Sequence, residues 1–175
     1  NKASNGTFVH WTNCAFLIGT FVLAMLAVPA FLWHYGQEIN LWIQAAIFGC
    51  VFMASGLSIT LGYHRLFSHL SFSAKWPVKL ATLLFGAAAM ENSALVWCSD
   101  HRRHHKHVDH DDDPYNIKKG FWHAHIGWIL FKSRLEPPMD NVADLRRDGL
   151  IMWQHRWYVS LEPLEGFDIP TVRQT

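Results

Sequence analysis

The segment CAFLIGTFVLAMLAVPAFLW, residues 14–33, carries no charged side chain across twenty positions. A helix needs roughly 20 apolar residues to cross a hydrocarbon core about 30 Å thick, so this run predicts a transmembrane helix. Trp11 at one end, and Trp33 with Tyr35 at the other, resemble interfacial anchors. Pro29 is expected to bend the helix, which membrane surroundings tolerate. A polar connection of seven residues, 34–40, leads to LWIQAAIFGCVFMASGLSITLG, residues 41–62, again without a charge. Gly49, Ala54, Ser55, Gly56 and Ser58 are small enough for a neighbouring helix to approach closely. One such run alone could be the buried helix of a soluble domain. Two in succession read as an antiparallel transmembrane hairpin. The connection carries only Glu38, whereas Arg65, Lys75, Lys79, Arg102, Arg103 and Lys106 follow the second run. The positive-inside rule therefore places the N-terminus and the histidine-rich region in the cytoplasm.

The expected fold is all-α: a helical integral membrane protein forming one domain over residues 1–175. Spans run at about 14–33 and 41–62, with interfacial and cytoplasmic helices over about 63–158. The net charge is +1 and 17% of residues are charged, so no basic field points to a nucleic-acid partner. Cys14, Cys50 and Cys98 lack the spacing of a disulfide framework or a cysteine zinc site. The first apolar run is too long, and lacks the basic flank, for a cleavable signal. The chain begins on Asn1, which suggests that an N-terminal piece is missing.

Outside the spans the unusual chemistry is in histidine. In WCSDHRRHHKHVDHDDD, residues 97–113, five of the chain's twelve histidines fall between 101 and 110. The core of this stretch is an H-x-x-H-H pattern: His101, His104 and His105. On an α-helix, offsets of three and four return to nearly the same face, so the three imidazoles are expected to project together. Neutral imidazole suits iron, zinc, copper and nickel. A second pattern, H-x4-H, ends the second apolar run with His64 and His69. Positions five apart on a regular helix lie about 140° from one another. These two can share one metal only if the helix ends or bulges between them; otherwise they serve two metals.

Between the two patterns, residues 71–76 read as a loop and Pro77 as a helix start. Residues 78–97 read as one interfacial or re-entrant helix leading into the second pattern. Its uncharged core, 80–90, is too short to cross. Residues 109–114 form an acidic turn. Its carboxylates are solvated, ligands of the calcium type, or hydrogen-bonded to the second nitrogen of ligating histidines. His123 and His125, in the apolar stretch 120–131, are assigned to packing. Pro137 and Pro138 break the chain, and 140–158 reads as an amphipathic helix with acids near its start.

Five imidazoles exceed the four ligands of a structural zinc site and the three of a catalytic one. They fall short of two octahedral metals. All-nitrogen ligation on a membrane hairpin points to iron and oxygen chemistry rather than zinc hydrolysis. The H-E-x-x-H of metalloproteases, a phosphate-binding glycine loop and a serine nucleophile elbow are all missing from the sequence.

GYHRLFSH, then SDHRRHHKHVD, then DPYNIKKGFWHAHIGW together resemble the membrane fatty acid desaturases, most of all bacterial relatives of the acyl-CoA Δ9 (stearoyl-CoA) branch. The likeness is continuous from about 62 to 131 and resumes loosely at DLRRDGLIMWQHRWY. It implies a multi-pass protein, in a bacterial inner membrane, with a di-iron centre on the cytoplasmic side. Such an enzyme would take O2 and electrons from a ferredoxin or cytochrome b5-type donor. It would place a cis double bond, at Δ9, in a fatty acyl-CoA or lipid-linked acyl substrate during unsaturated fatty acid biosynthesis. By this resemblance His64, His69, His101, His104 and His105 are iron ligands, with no catalytic residue beyond them. Asn92, Asp100 and Lys132 match positions near the substrate headgroup. A membrane di-iron hydroxylase and a non-catalytic membrane metal-binding protein are the alternatives. The family also carries a third histidine box after a further pair of spans. Here the stretch following Tyr158 holds Glu162, Glu165 and Asp168, and an acid at a helix centre costs about 2.5–3.5 kcal/mol on insertion scales. That stretch is expected not to insert, and this chain alone is expected not to assemble the whole di-iron site.

Overall fold

The computed structural model describes residues 8–132 and 139–161. The expectations for Pro137, Pro138 and the acidic stretch 162–168 lie outside the described residues. The fold is all-α apart from one two-residue antiparallel pairing, β1 (Phe8–Val9) with β2 (Phe131–Lys132).

Helix α1 (Trp11–Tyr35) is unbroken through Pro29 and buries none of its residues. Helix α2 (Leu41–Leu57) also buries none, and continues as a π-helix, Ser58–Ser68. At 1.5 Å per residue, the 25 residues of α1 extend about 37 Å, enough to cross a bilayer. Both helices are long and apolar enough to span: Trp11–Tyr35 and Leu41–Ser68. Phe21, Leu23, Leu26, Phe48 and Phe52 are each at least 65% exposed, which water would penalise and lipid would not. Asn40 starts α2 by accepting the amides of Trp42 and Ile43. At its other end α1 is tied to the segment before β2, where the Asn13 amide donates to the Ile129 carbonyl and His10 N to that of Leu130.

The stretch expected as one helix over 78–97 is two. Helix α3 (Trp76–Ala88) ends at a turn where Met90 and Asn92 take positive φ, and Ser93 caps α4 (Ala94–Lys106). The break re-aims α4, so apolarity across 80–90 does not carry one helix axis into the second histidine pattern. Residues 121–130 are helical, with a π-turn at His123–Gly127 running into α5 (Trp128–Leu130). The helix expected over 140–158 begins only at α6 (Gly149–Leu161), behind a 3-10 turn, Leu145–Arg147. Asp148 sets that start: one carboxylate oxygen accepts the Leu150 amide, while the other meets Lys79 at 2.7 Å.

The core lies between the π-helix, α3, α4 and α6. Tyr63, Leu66, Phe67, Leu83, Leu95, Cys98, Val142, Leu145 and Ile151 form one buried cluster. Close packing here depends on two glycines. A Cβ on Gly62 would meet the Thr82 methyl, and one on Gly86 would come within 2.5 Å of the Tyr63 ring. Gly49 and Gly56, expected to admit a neighbour, have nothing within 4 Å. Gln154 closes the core. Its amide donates to the Tyr63 hydroxyl at 2.6 Å and the Leu83 carbonyl at 3.3 Å, and its oxygen accepts the Ala94 amide at 3.0 Å. One buried side chain thus fixes both histidine-bearing helices and α3 to α6.

Candidate metal centre

The π-helix resolves the five-residue spacing of His64 and His69. A π-turn bonds each N–H to the carbonyl five residues back, so its fifth residue lies over the first, as the fourth does in an α-helix. The His69 amide donates to the His64 carbonyl at 3.0 Å, and the two rings lie 4.7 Å apart. On α4, His101 and His105 achieve the same edge-to-face approach with the ordinary offset of four, their rings 4.6 Å apart.

The two pairs meet. His64, His69, His101 and His105 each offer a ring nitrogen, and these atoms all lie within 4.8 Å of one another. Nε2 of His101 is 3.2 Å from Nε2 of His69 and 3.1 Å from Nε2 of His105. Two nitrogens bound at about 2.1 Å to a single ion sit roughly 3.0–3.4 Å apart. A neutral ring nitrogen has either one proton or one lone pair, so His101 Nε2 can satisfy only one of its two neighbours. A cation shared by the lone pairs would relieve that conflict. The donor set fits a borderline metal such as iron or zinc.

Burial and the surrounding imidazoles push His101 down to about 3. His69 is lowered as well, by burial and then by His105, His64 and the Arg102 cation. Both rings are therefore neutral at pH 7, the form that ligates. Trp97 stacks on His101 at 4.7 Å and its indole N–H donates to Glu91 at 3.2 Å.

Arg102 holds the pairs in register. Its five N–H donors are all used. Nε and Nη2 donate to the carbonyls of Ser68 and Phe67, Nη1 donates to that of Asn141, and Nη1 and Nη2 grip Asp144 bidentately at 2.7 and 2.9 Å. The guanidinium thus caps the open end of the π-helix one residue before His69. It holds the Asp144 carboxyl below the usual range, mainly through the hydrogen bond. Sequence reading passes over Arg102, Trp97 and Gln154. Their partners lie six to 91 positions away, and the sequence hints at them only through adjacency to a histidine, for Arg102 and Gln154, or a helical offset of four from His101, for Trp97.

His104 stands outside the four. Its Nδ1 is 2.9 Å from Oδ1 of Asp113, and its ring is 6.2 Å from that of His101. Of the acidic turn, Asp113 is buried while Asp111 and Asp112 are exposed. Burial alone would raise the Asp113 carboxyl, but donors from Asp109 N, His104 and Tyr115 N outweigh it and hold it low. Asn92 sits in the turn before α4, its amide donating to the Tyr158 hydroxyl and its side chain accepting from Ser93 N. Asp100 lies on α4 just before His101, and Lys132 in β2 opposite Phe8. His123 is half-buried, as packing requires, and His125 is exposed.

No family model matches. A probable acyl-CoA desaturase of Schizosaccharomyces pombe is 38% identical over 167 residues, 94% of this chain and 33% of the relative. Acyl-CoA desaturase 1 of Saccharomyces cerevisiae is 36% identical, over 94% of this chain and 31% of its own length. An acyl-CoA Delta-9 desaturase of Acheta domesticus is 34% identical, over 93% and 45%. The chain belongs to the membrane fatty acid desaturase family. It spans about a third to a half of the length of the desaturases it matches. The three desaturases named here are eukaryotic, although the sequence resemblance alone suggested bacterial kin.

Proposed function

We propose that the protein is an O2-dependent fatty acyl desaturase whose iron is held by histidines of this chain at the cytoplasmic membrane surface. The observation that carries this reading is the convergence of four imidazoles from two separated segments. The names of the relatives support an acyl-CoA substrate, and the Δ9 position has the support of the Delta-9 relatives although others are Δ11 and Δ12 enzymes. The lysines and arginines after residue 64 support the cytoplasmic side. Of the two metals in a di-iron centre, one would be held by His64, His69, His101 and His105, and the other would draw on His104. Iron held there supplies the oxidation that removes two hydrogens from an unactivated acyl chain, with O2 reduced to water by electrons from a ferredoxin or cytochrome b5-type donor.

The chain's own residues bind, orient and exclude water. Burial keeps His101 unprotonated, so its lone pair stays available. The Trp97 ring covers one face of that imidazole. A groove of about 480 Å³ between α2 and α3 is lined by Phe48, Val51, Phe52, Ile59, Ala88 and Glu91. Glu91 accepts from the Trp97 indole, whose ring lies on His101, so one hydrogen bond and one ring contact link the groove lining to the imidazole cluster. An apolar slot of this size suits an acyl chain, and a bare metal-binding protein has no use for it. Asn92, Asp100 and Lys132 remain the proposed contacts to the headgroup.

The test is anaerobic reconstitution with Fe(II) of this chain together with a polypeptide carrying the third histidine box, followed by acyl-CoA, O2 and a reduced donor, with the products separated by gas chromatography. A cis-alkene that disappears in His101→Ala supports desaturation. An alcohol would assign the protein to the hydroxylases. Stoichiometric zinc with no oxidised product at any donor concentration would make it a metal-binding protein.

A further inference from the structure

We propose that Asp113 is a positioning residue: its buried carboxylate fixes His104 as the Nδ1–H tautomer, leaving Nε2 as the only nitrogen with which His104 can ligate. The proposal rests on the metal centre above and adds to it a device for one histidine.

The Asp113 side chain is 0% exposed. An ionised carboxylate only accepts hydrogen bonds, and removal from water is costly unless each oxygen finds donors. Oδ2 accepts the Asp109 amide at 2.9 Å, and Oδ1 accepts the Tyr115 amide at 2.9 Å. The remaining contact is Nδ1 of His104, also at 2.9 Å. That nitrogen must donate, since two acceptors at this distance would repel. In the neutral ring the lone pair is then confined to Nε2. A histidine free in water prefers the opposite tautomer, with the proton on Nε2, in which ligation by that atom is blocked.

The turn is built around the carboxylate. Asp109 takes a φ of 59°, which turns its amide onto Oδ2. The Asp113 amide and the Asn116 side chain both donate to the His110 carbonyl, closing the loop from two sides. Asn116 in turn accepts the Lys118 amide. The Tyr115 ring packs on His104 at a tilt, with centroids 5.1 Å apart, so the imidazole has a ring contact as well as its hydrogen bond. An acid needed only to solubilise an acidic turn would sit with Asp111 and Asp112 in solvent. Carboxylates in this position behind a ligating imidazole change metal affinity by about 10–100-fold when removed.

The experiment is long-range 1H–15N correlation on the histidine-labelled chain in detergent micelles, metal-free and at neutral pH. His104 is expected as the Nδ1–H form. Asp113→Ala is expected to shift it to Nε2–H, while Asp113→Asn, which keeps an acceptor oxygen, retains the native tautomer. A structural role alone would move stability without moving the tautomer. His104 found as Nε2–H in the wild-type chain overturns the proposal, as does an unchanged tautomer in a folded Asp113→Ala. If that variant does not fold, the wild-type spectrum decides. A parallel Zn2+ titration separates the two readings. Failure of His64, His69, His101 and His105 to bind zinc, with the His104 tautomer as expected, defeats the metal centre and leaves the role of Asp113 standing.

Discussion

The two histidine pairs reach the same geometry by different backbones. His101 and His105 use the offset of four that any α-helix provides, and their rings lie 4.6 Å apart. His64 and His69 use an offset of five, and their rings lie 4.7 Å apart only because α2 widens into a π-helix. The first arrangement needs no support beyond the helix. The second leaves carbonyls at the helix end that an α-helix of the same length would place otherwise, and Arg102 satisfies them from the opposite pair. The two boxes are therefore unequal: α4 is the template, and the π-helix is held to it.

Register changes break this comparison most severely. Moving the second ligand of the π-helix back by one position, with Ser68→His and His69→Ala together, gives an offset of four on a π backbone. Zinc affinity, followed by competition with a chromogenic chelator, is expected to fall by about 10–100-fold, the loss typical when a metal's geometry is disturbed. Unchanged affinity would mean that the segment relaxes to an α-helix and that the π form has no role.

Removal of the clamp comes next. Arg102→Ala leaves the Phe67 and Ser68 carbonyls and Asp144 without their donor. A fully buried pair broken on one side costs about 3–5 kcal/mol. Asp144 is 43% exposed, so about 2–3 kcal/mol is expected in denaturant unfolding of detergent-solubilised chain. His69 should be released before His101, seen as selective broadening of its ring resonances. A loss of stability shared equally by both pairs would contradict the inequality between them.

Helix approach can be tested at two glycines. Gly86→Ala would press a methyl against the Tyr63 ring and is expected to cost about 1–3 kcal/mol through overpacking. Gly56→Ala, with nothing within 4 Å, is expected to be neutral or to stabilise by up to about 1 kcal/mol. The contrast is read from paired thermal melts.

The shallowest effect is that of pH on the metal-free chain. His101 and His69 bind protons less readily folded than unfolded. Below the unfolded value of about 6.5 the unfolded chain takes up protons first. Stability is therefore expected to be flat above pH 7 and to decline from about pH 6.5 toward 3. A flat profile down to pH 4 would mean that neither ring is depressed.

Much of this was legible in the sequence, for reasons that differ by region. The spans were readable because an uncharged run of twenty residues has few other uses, and α1 and α2 bury nothing in the protein. The pairing of His101 with His105 was readable from helical period. For His64 and His69 the sequence left open a helix end, a bulge or two separate metals, because π-helices lack a composition signature. The break between α3 and α4 was hidden, since Met90 and Asn92 adopt positive φ without a glycine or proline to announce it. His104 was grouped with its neighbours by spacing. Its separation depends on Asp113, nine residues away across a turn, which spacing on a helix cannot register.

The most direct measurement is X-ray absorption at the zinc edge of the chain loaded with one equivalent of Zn2+. Scattering from about four imidazoles, with Zn–N near 2.0–2.1 Å, is the expected result, falling to about three in His69→Ala. A first shell of oxygens, or of two imidazoles unaffected by His69→Ala, would contradict the meeting of the two pairs on one ion.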